Sequence, residues 1–175
     1  GEGPNGKRQE YDWKGFFSVV RELQPNATLS ICGPDVRWCG NAAGECRESE
    51  WSVLPAFIAT TPPNPAEIDL LPIPCNAMEK DLGSRAVLRD AAAKGACLVW
   101  YPSQVDTSIR PGWFYHAKED GKVKSLSHLL DIYYGSVGGN SQLLLNIPPD
   151  RRGRFHENDV ARLRELGQVL HATFA

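Results

Sequence analysis

The sequence predicts an α/β fold and, more narrowly, an incomplete (β/α)₈ barrel. Short, continuous apolar runs alternate along the chain with segments whose apolar residues repeat every three or four positions. The runs are typical of parallel strands buried on both faces, and the repeating segments are typical of helices that cover such a sheet. A complete barrel takes about 250 residues. The chain has 175, so we expect only part of one.

Three segments have the helical pattern: 11–23, 125–134 and 157–174. Asp12 can cap the first of them and Pro25 ends it, while Ser125 can cap the second. A further Ala-rich stretch, at 90–94, is short.

Strands are predicted where apolar and β-compatible residues run without interruption: 27–32 (ATLSIC), 96–101 (ACLVWY), 112–116 (GWFYH) and 142–147 (QLLLNI). Residues 35–50 form a long polar loop in this scheme. Residues 60–83 contain five prolines and no periodicity, which predicts an extended surface segment.

Composition excludes several classes of function. A formal net charge of −2 gives no electrostatic reason to expect nucleic acid or a membrane surface as partner. No GxxxxGK[ST] or GxSxG motif occurs. The five cysteines (32, 39, 46, 75 and 97) form no paired CxxC motifs, so we expect no metal site. Free thiols are favoured, and a disulfide stays open as the alternative.

Chemistry in a barrel belongs on the loops that leave the C-terminal ends of its strands. Two segments qualify here, 33–41 and 101–116, and both carry aromatic and charged residues. Sugar sites need that combination, since flat rings cover the C–H face and charged groups bind the hydroxyls. Taken singly, such residues are more often packing with a solvated charge. The candidate binding residues are Arg37, Trp38, Asp106, Trp113 and His116.

Four segments resemble glycoside hydrolase family 29, the α-L-fucosidases: GPDVRWCGN (33–41), SEWSVLP (49–55), DTSIRPGWFYH (106–116) and the run at 133–160 that contains SVGGNSQLLLNIPPDRRG. They are most similar to the branch that prefers α-1,3/1,4-linked fucose on branched glycans. The resemblance implies that residues 1–175 are the C-terminal part of a (β/α)₈ catalytic barrel. The nucleophilic Asp and the N-terminal strands are then expected upstream of Gly1, and the remainder of the barrel is required.

The family motifs also imply residue roles. Arg37 matches the Arg of a D-x-R-W motif that reaches the fucose, and Trp113 matches an aromatic that packs near the sugar. We expect these two side chains to face one hollow. The family acts on fucosylated oligosaccharides by a retaining mechanism without a cofactor, and the resemblance implies a secreted or periplasmic protein.

The expected acid/base is missing from its motif. The branch usually has Glu two residues before the last glycine of a G-N-E-x-G motif, and this sequence has Ala42 at that position. Alanine can neither protonate a leaving group nor activate water. An engineered Glu→Ala variant or a natural inactive homologue would explain Ala42. Glu45, Glu48 and Glu50 are the fallback acids, and a non-catalytic glycan-binding protein on a degenerate barrel is the rival function.

Overall fold

The computed structural model describes residues 4–7, 11–30, 33–56 and 80–174. Within these ranges the chain forms a mixed α/β segment. Its elements, in chain order, are α1 (Trp13–Leu23), β1 (Arg37–Trp38), β2 (Ser49–Glu50), β3 (Val53–Ala56), β4 (Asp81–Leu82), α2 (Arg85–Ala93), β5 (Cys97–Trp100), β6 (Ser103–Ser108), α3 (Leu126–Ser136), β7 (Ser141–Asn146) and α4 (Glu157–Phe174).

The central sheet has three parallel strands in the order β1-β6-β7. β6 and β7 are in register along their whole length, from Ser103 beside Ser141 to Ser108 beside Asn146. The short β1 pairs only with the start of β6, because Arg37 lies beside Ser103. The prediction of parallel strands is confirmed for this sheet.

The two faces of this sheet differ in what covers them. Side chains alternate along a strand, and one set packs on α3 and α4 in a core around Ile109, Leu129 and Ile132. Leu143 and Leu145 of β7 belong to that helix-covered face. The opposite side, which we call the open face, carries Trp38 of β1 and alternate residues of the other two strands: Gln104, Asp106, Ser108, Gln142, Leu144 and Asn146.

Two small sheets flank the central one. β2 pairs with β4 in parallel, and β3 pairs with β5 in antiparallel orientation. Leu54, Leu82 and Tyr101 form a separate buried cluster between them. The predicted strand at 96–101 therefore exists as β5, but it is antiparallel and largely exposed rather than a buried parallel strand.

The predicted helices are confirmed with small shifts at their ends. The Asp12 side chain accepts a hydrogen bond from Gly15 N at 2.8 Å and caps α1. The Ser125 hydroxyl likewise accepts from His128 N at 3.2 Å and caps α3. The Ala-rich stretch at 90–94 is the end of α2. None of the helices in the described ranges has the length and apolarity needed to cross a bilayer.

Two predicted strands are corrected. Residues 27–30 form no strand, and residues 31–32 lie outside the described ranges. Residues 112–116 form no strand and 112–114 are bends, because side chains rather than a neighbouring strand bond the carbonyls of Gly112 and Trp113. The proline-rich segment lies outside the described residues up to position 79, and β4 follows it. Among the described cysteines, Cys39, Cys46 and Cys97 are free.

Candidate functional site

The open face brings together two of the predicted binding residues. Trp38 Nε1 donates a 2.6 Å hydrogen bond to Asp106 Oδ1. Trp38 lies beside Gln104 in the register of β1 and β6. The Trp38 indole therefore extends along the open face to Asp106, the next residue of β6 on that face. Both side chains are half-buried. They present an aromatic ring and a carboxylate at one place, which suits a sugar.

A second group lies where β6 and β7 end. Asn146 Nδ2 donates to Ser108 Oγ at 3.0 Å and to the carbonyl of Trp113 at 3.1 Å. Ser108 Oγ donates to the Gly112 carbonyl at 2.7 Å. The main chain of Trp113 is therefore held at the C-terminal ends of two parallel strands, and the residue is 43% exposed. Ser108 and Asn146 were not predicted from the sequence. For Asn146 a signal existed, because it is the polar residue that ends the apolar run of Leu143, Leu144 and Leu145.

A buried cation holds the rest of the loop that carries Trp113. Arg110 is fully buried; its Nε donates to both carboxylate oxygens of Asp159 at 3.0 Å, and its Nη1 donates to Asp120 at 3.0 Å. Its guanidinium lies 4.9 Å from the centre of the Tyr115 ring. Burial tends to lower the pKa of Arg110, but the two carboxylates raise it overall. His116 is exposed on this loop, and its side chain makes no capping hydrogen bond.

Arg37 is not at the open face. Its side chain is fully buried, with Nε donating to the Tyr101 carbonyl at 3.0 Å, Nη2 to the Trp51 carbonyl at 2.7 Å and Nη1 to Glu50. The expected contact between Arg37 and fucose does not agree with this placement. Adjacent residues of a strand point to opposite faces, so it is Trp38 that reaches the open face.

Arg37 and Trp113 also lie at opposite ends of β6. Arg37 is paired with Ser103, the first residue of that strand, whereas Trp113 follows its last residue, Ser108, and is bonded to the end of β7. The expectation that Arg37 and Trp113 face one hollow is therefore wrong. The Trp113 carbonyl is bonded instead to Asn146, which belongs to the same open face as Asp106 and Trp38.

Ala42 lies in a loop that is held at both ends. Cys39 N donates to the Gln104 carbonyl at 2.9 Å, and Cys46 N donates to the Gly135 carbonyl at 3.0 Å. Inside the loop, Asn41 Nδ2 donates to the Glu45 carbonyl at 2.9 Å. The Ala42 side chain is exposed.

The three fallback acids have different surroundings. Glu45 is exposed beside α3, where it lines a hollow of about 260 Å³ with His128 and Asp131. Glu48 is exposed. Glu50 is buried; burial alone would raise its pKa, but the backbone N–H of Arg47 and the charge of Arg37 lower it overall. A buried carboxylate held ionised between two arginines is unsuited to donate a proton.

A larger hollow, of about 470 Å³, lies beside the residues that follow Trp113 in the chain. It is lined by Tyr115, Ala117, Asp150, Arg151, Arg152, His156 and Glu157. Hydrogen bonds from Arg152 lower the pKa of Asp150 to about 2. The Asp150 carboxylate is thus paired with Arg152. Within the described ranges, no group of His, Cys, Asp and Glu side chains is arranged to hold a metal ion.

Comparisons with known proteins agree with the sequence resemblance. The family model described as Alpha-L-fucosidase matches residues 88–173. The chain is 34% identical to "Alpha-L-fucosidase 1" of Arabidopsis thaliana over 99% of the chain and 30% of that protein. A solved "putative alpha-L-fucosidase" from Bacteroides ovatus ATCC 8483 is 52% identical, with a TM-score of 0.78 over 99% of this chain and 29% of that one.

A solved glycoside hydrolase 29 family member from an unknown rumen bacterium is 34% identical, with a TM-score of 0.64 over 96% of this chain and 27% of that one. The chain thus spans about 30% of the length of its curated Arabidopsis relative.

Proposed function

Because sequence and structure comparisons both support the α-L-fucosidase family, glycoside hydrolase family 29, for this chain, we propose that it supplies part of the substrate site of a fucosidase. The parallel strands β1, β6 and β7 would be neighbouring strands of a (β/α)₈ catalytic barrel. Their open face would then line the inside of the barrel, closed by strands from the remainder of the protein.

One observation carries this proposal: Trp38 and Asp106 are bonded to each other on the open face, and the Trp113 carbonyl is bonded to Asn146 at the C-terminal end of the neighbouring strand. Barrel enzymes bind substrate at that end of their strands. The exposed Trp113 ring would cover the apolar face of fucose. Asp106, whose second oxygen Oδ2 is not used by Trp38, would accept a hydrogen bond from a fucose hydroxyl.

We further propose retaining hydrolysis through two carboxyl groups about 5–5.5 Å apart. An Asp from the remainder of the barrel would attack the anomeric carbon and form a fucosyl-enzyme intermediate. A Glu at position 42 would protonate the leaving sugar and then deprotonate water. With Ala42 the chain lacks that group, so the protein would bind fucosides and turn over only those whose leaving group needs little protonation.

The preference for α-1,3/1,4-linked fucose on branched glycans and a secreted or periplasmic location belong to the same proposal. Both rest on the similarity of segments 33–41 and 133–160 to that branch of the family. Hydrolysis of a panel of fucosylated oligosaccharides by an active variant would test the linkage.

The direct test restores the missing acid. We expect Ala42→Glu in the full-length protein to raise the rate of hydrolysis of a fucosylated oligosaccharide by about 10²- to 10⁴-fold, the usual contribution of a general acid/base. Ala43→Glu is the matched control, since residue 43 is equally exposed and one position away. No gain from Ala42→Glu, or an equal gain from Ala43→Glu, would refute the assignment of position 42.

A second experiment separates the retaining mechanism from its alternatives. Azide needs no general base, so it should accelerate release of 4-nitrophenol from the 4-nitrophenyl α-L-fucoside by the Ala42 protein. Two displacements at one carbon would give the α-fucosyl azide. The β-azide would instead indicate a single displacement and would refute the retaining mechanism.

The rival function is a glycan-binding protein without catalysis, which the exposed Ala42 favours. Under that alternative, L-fucose would bind to the full-length protein, and neither Ala42→Glu nor azide would produce turnover.

A further inference from the structure

We propose that Asn146 is a positioning residue that sets the orientation of Trp113 toward the sugar. This inference rests on the proposed function. It assigns to the last residue of β7 a role in substrate binding through another side chain, without contact with the substrate itself.

The geometry gives Asn146 a bridging place. Its side-chain amide has two N–H donors. Nδ2 donates to Ser108 Oγ at 3.0 Å, at the end of the neighbouring strand, and to the Trp113 carbonyl at 3.1 Å. One side chain thus joins the ends of β6 and β7 to the backbone that carries the aromatic ring.

The Trp113 carbonyl is held by this backbone tie. Among the described residues, the Trp113 indole makes no hydrogen bond and pairs with no other aromatic ring, and the residue is 43% exposed. The main chain of the loop therefore contributes to the direction of the ring. Arg110, which precedes Trp113 in that loop, donates hydrogen bonds to Asp159 and Asp120. Tyr115, which follows Trp113, also donates to Asp120. Within the described ranges, Asn146 alone donates a hydrogen bond to Trp113 itself.

Asn146→Asp is the informative change because it keeps the shape of the side chain and replaces both donors by an acceptor. A carboxylate oxygen would then face the Trp113 carbonyl and repel it. If Trp113 binds substrate and transition state equally, its misplacement raises KM and leaves kcat unchanged. We expect KM for an aryl α-L-fucoside to rise about tenfold in the full-length Ala42→Glu protein.

A double-mutant cycle distinguishes positioning from general stability. In a Trp113→Ala background, Asn146→Asp should change KM by less than about twofold, because the ring through which it acts is gone. Asn146→Ser, which keeps one donor, should give an intermediate KM. Asn26→Asp, on an exposed turn after α1, is the control and should leave KM unchanged. Equal effects of Asn146→Asp with and without Trp113, or an unchanged KM, would overturn the proposal.

A spectroscopic measurement tests the link without any turnover. In protein labelled with 5-fluorotryptophan, the ¹⁹F resonance lost in Trp113→Phe belongs to Trp113. Asn146→Asp should shift or broaden that resonance, and Asn26→Asp should not. A Trp113 resonance unaffected by Asn146→Asp would overturn the positioning role. Absence of fucoside binding by the protein with Asn146 and Trp113 intact would refute the proposed function instead.

Discussion

Glu50→Gln tests the buried ion pairs that Glu50 forms with Arg37 and Arg47. Glu50 Oε1 accepts from Arg37, and Oε2 accepts from Arg47 Nη1 at 2.9 Å and from the Arg47 backbone N–H at 3.1 Å. The side chains of Glu50 and Arg37 are 0% exposed and that of Arg47 is 6% exposed. Glutamine would remove the counter-charge of the buried Arg37 and one carboxylate partner of Arg47, and it would turn an N–H group toward one of these cations.

Removing one partner of a buried ion pair costs about 3–5 kcal/mol. At about 1.4 kcal/mol per tenfold change, the ratio of unfolded to folded protein should rise by roughly a hundredfold to several thousandfold. The assay is urea unfolding of the full-length protein, with hydrogen exchange of peptides covering 37–50 as the local measurement. Glu48→Gln is the control, because Glu48 is exposed and should change stability by less than about 0.5 kcal/mol.

Glu50→Gln should also change how the stability of the protein depends on pH. The pKa of folded Glu50 lies below its ordinary value, so its contribution to stability is complete above the unfolded pKa of about 4.3 and is lost as the pH falls through the folded pKa. Glu50→Gln should flatten the decline of stability in that acid range. A stability within about 1 kcal/mol of the starting protein, or a decline as steep as before, would refute the structural account of Glu50.

Three further predictions concern packing and capping. Leu129→Ala, at a side chain only 1% exposed, should cost about 2–5 kcal/mol in urea unfolding; a loss under 1 kcal/mol would contradict the core assignment. Gly139→Ala would place its Cβ 2.1 Å from Cys46 Sγ, so it should lower Tm, and Cys46→Ala should recover part of the loss; no recovery would mean that the clash lies elsewhere. Ser125→Ala should cost about 1 kcal/mol by removing the α3 cap, and hydrogen exchange at His128 N would report it; unchanged exchange would count against the cap.

The helices were predictable because their signals are local. α1, α3 and α4 have a capping residue or an apolar stripe that the sequence displays directly. The strand β7 was equally visible as a continuous apolar run. The central strand β6 was not, since Gln104, Asp106 and Ser108 on its open face interrupt the apolar pattern. A search for continuous apolar runs misses a strand whose two faces differ.

The site was predicted in part for a related reason. Trp38 and Asp106 meet on the open face, whereas Arg37 is buried away from it. Arg37 and Trp38 are neighbours in one strand, and a two-residue motif does not say which of its members points to which face. That assignment needed the register of β1 against β6. The places of Asn146 and Ser108 in the site could not be predicted without the conformation of the loop at 111–116. That conformation depends on bonds between residues distant in sequence.

The way the 39–46 loop is fastened has a consequence for how such a protein changes over time. Its two ends are secured by main-chain bonds to Gln104 and Gly135, and nothing in that attachment depends on which side chain occupies position 42. The main-chain bonds that secure this loop are thus independent of the identity of residue 42. Under the proposed role of that position, a single codon change would switch a lineage between hydrolysing a glycan and only binding it, while these bonds are kept.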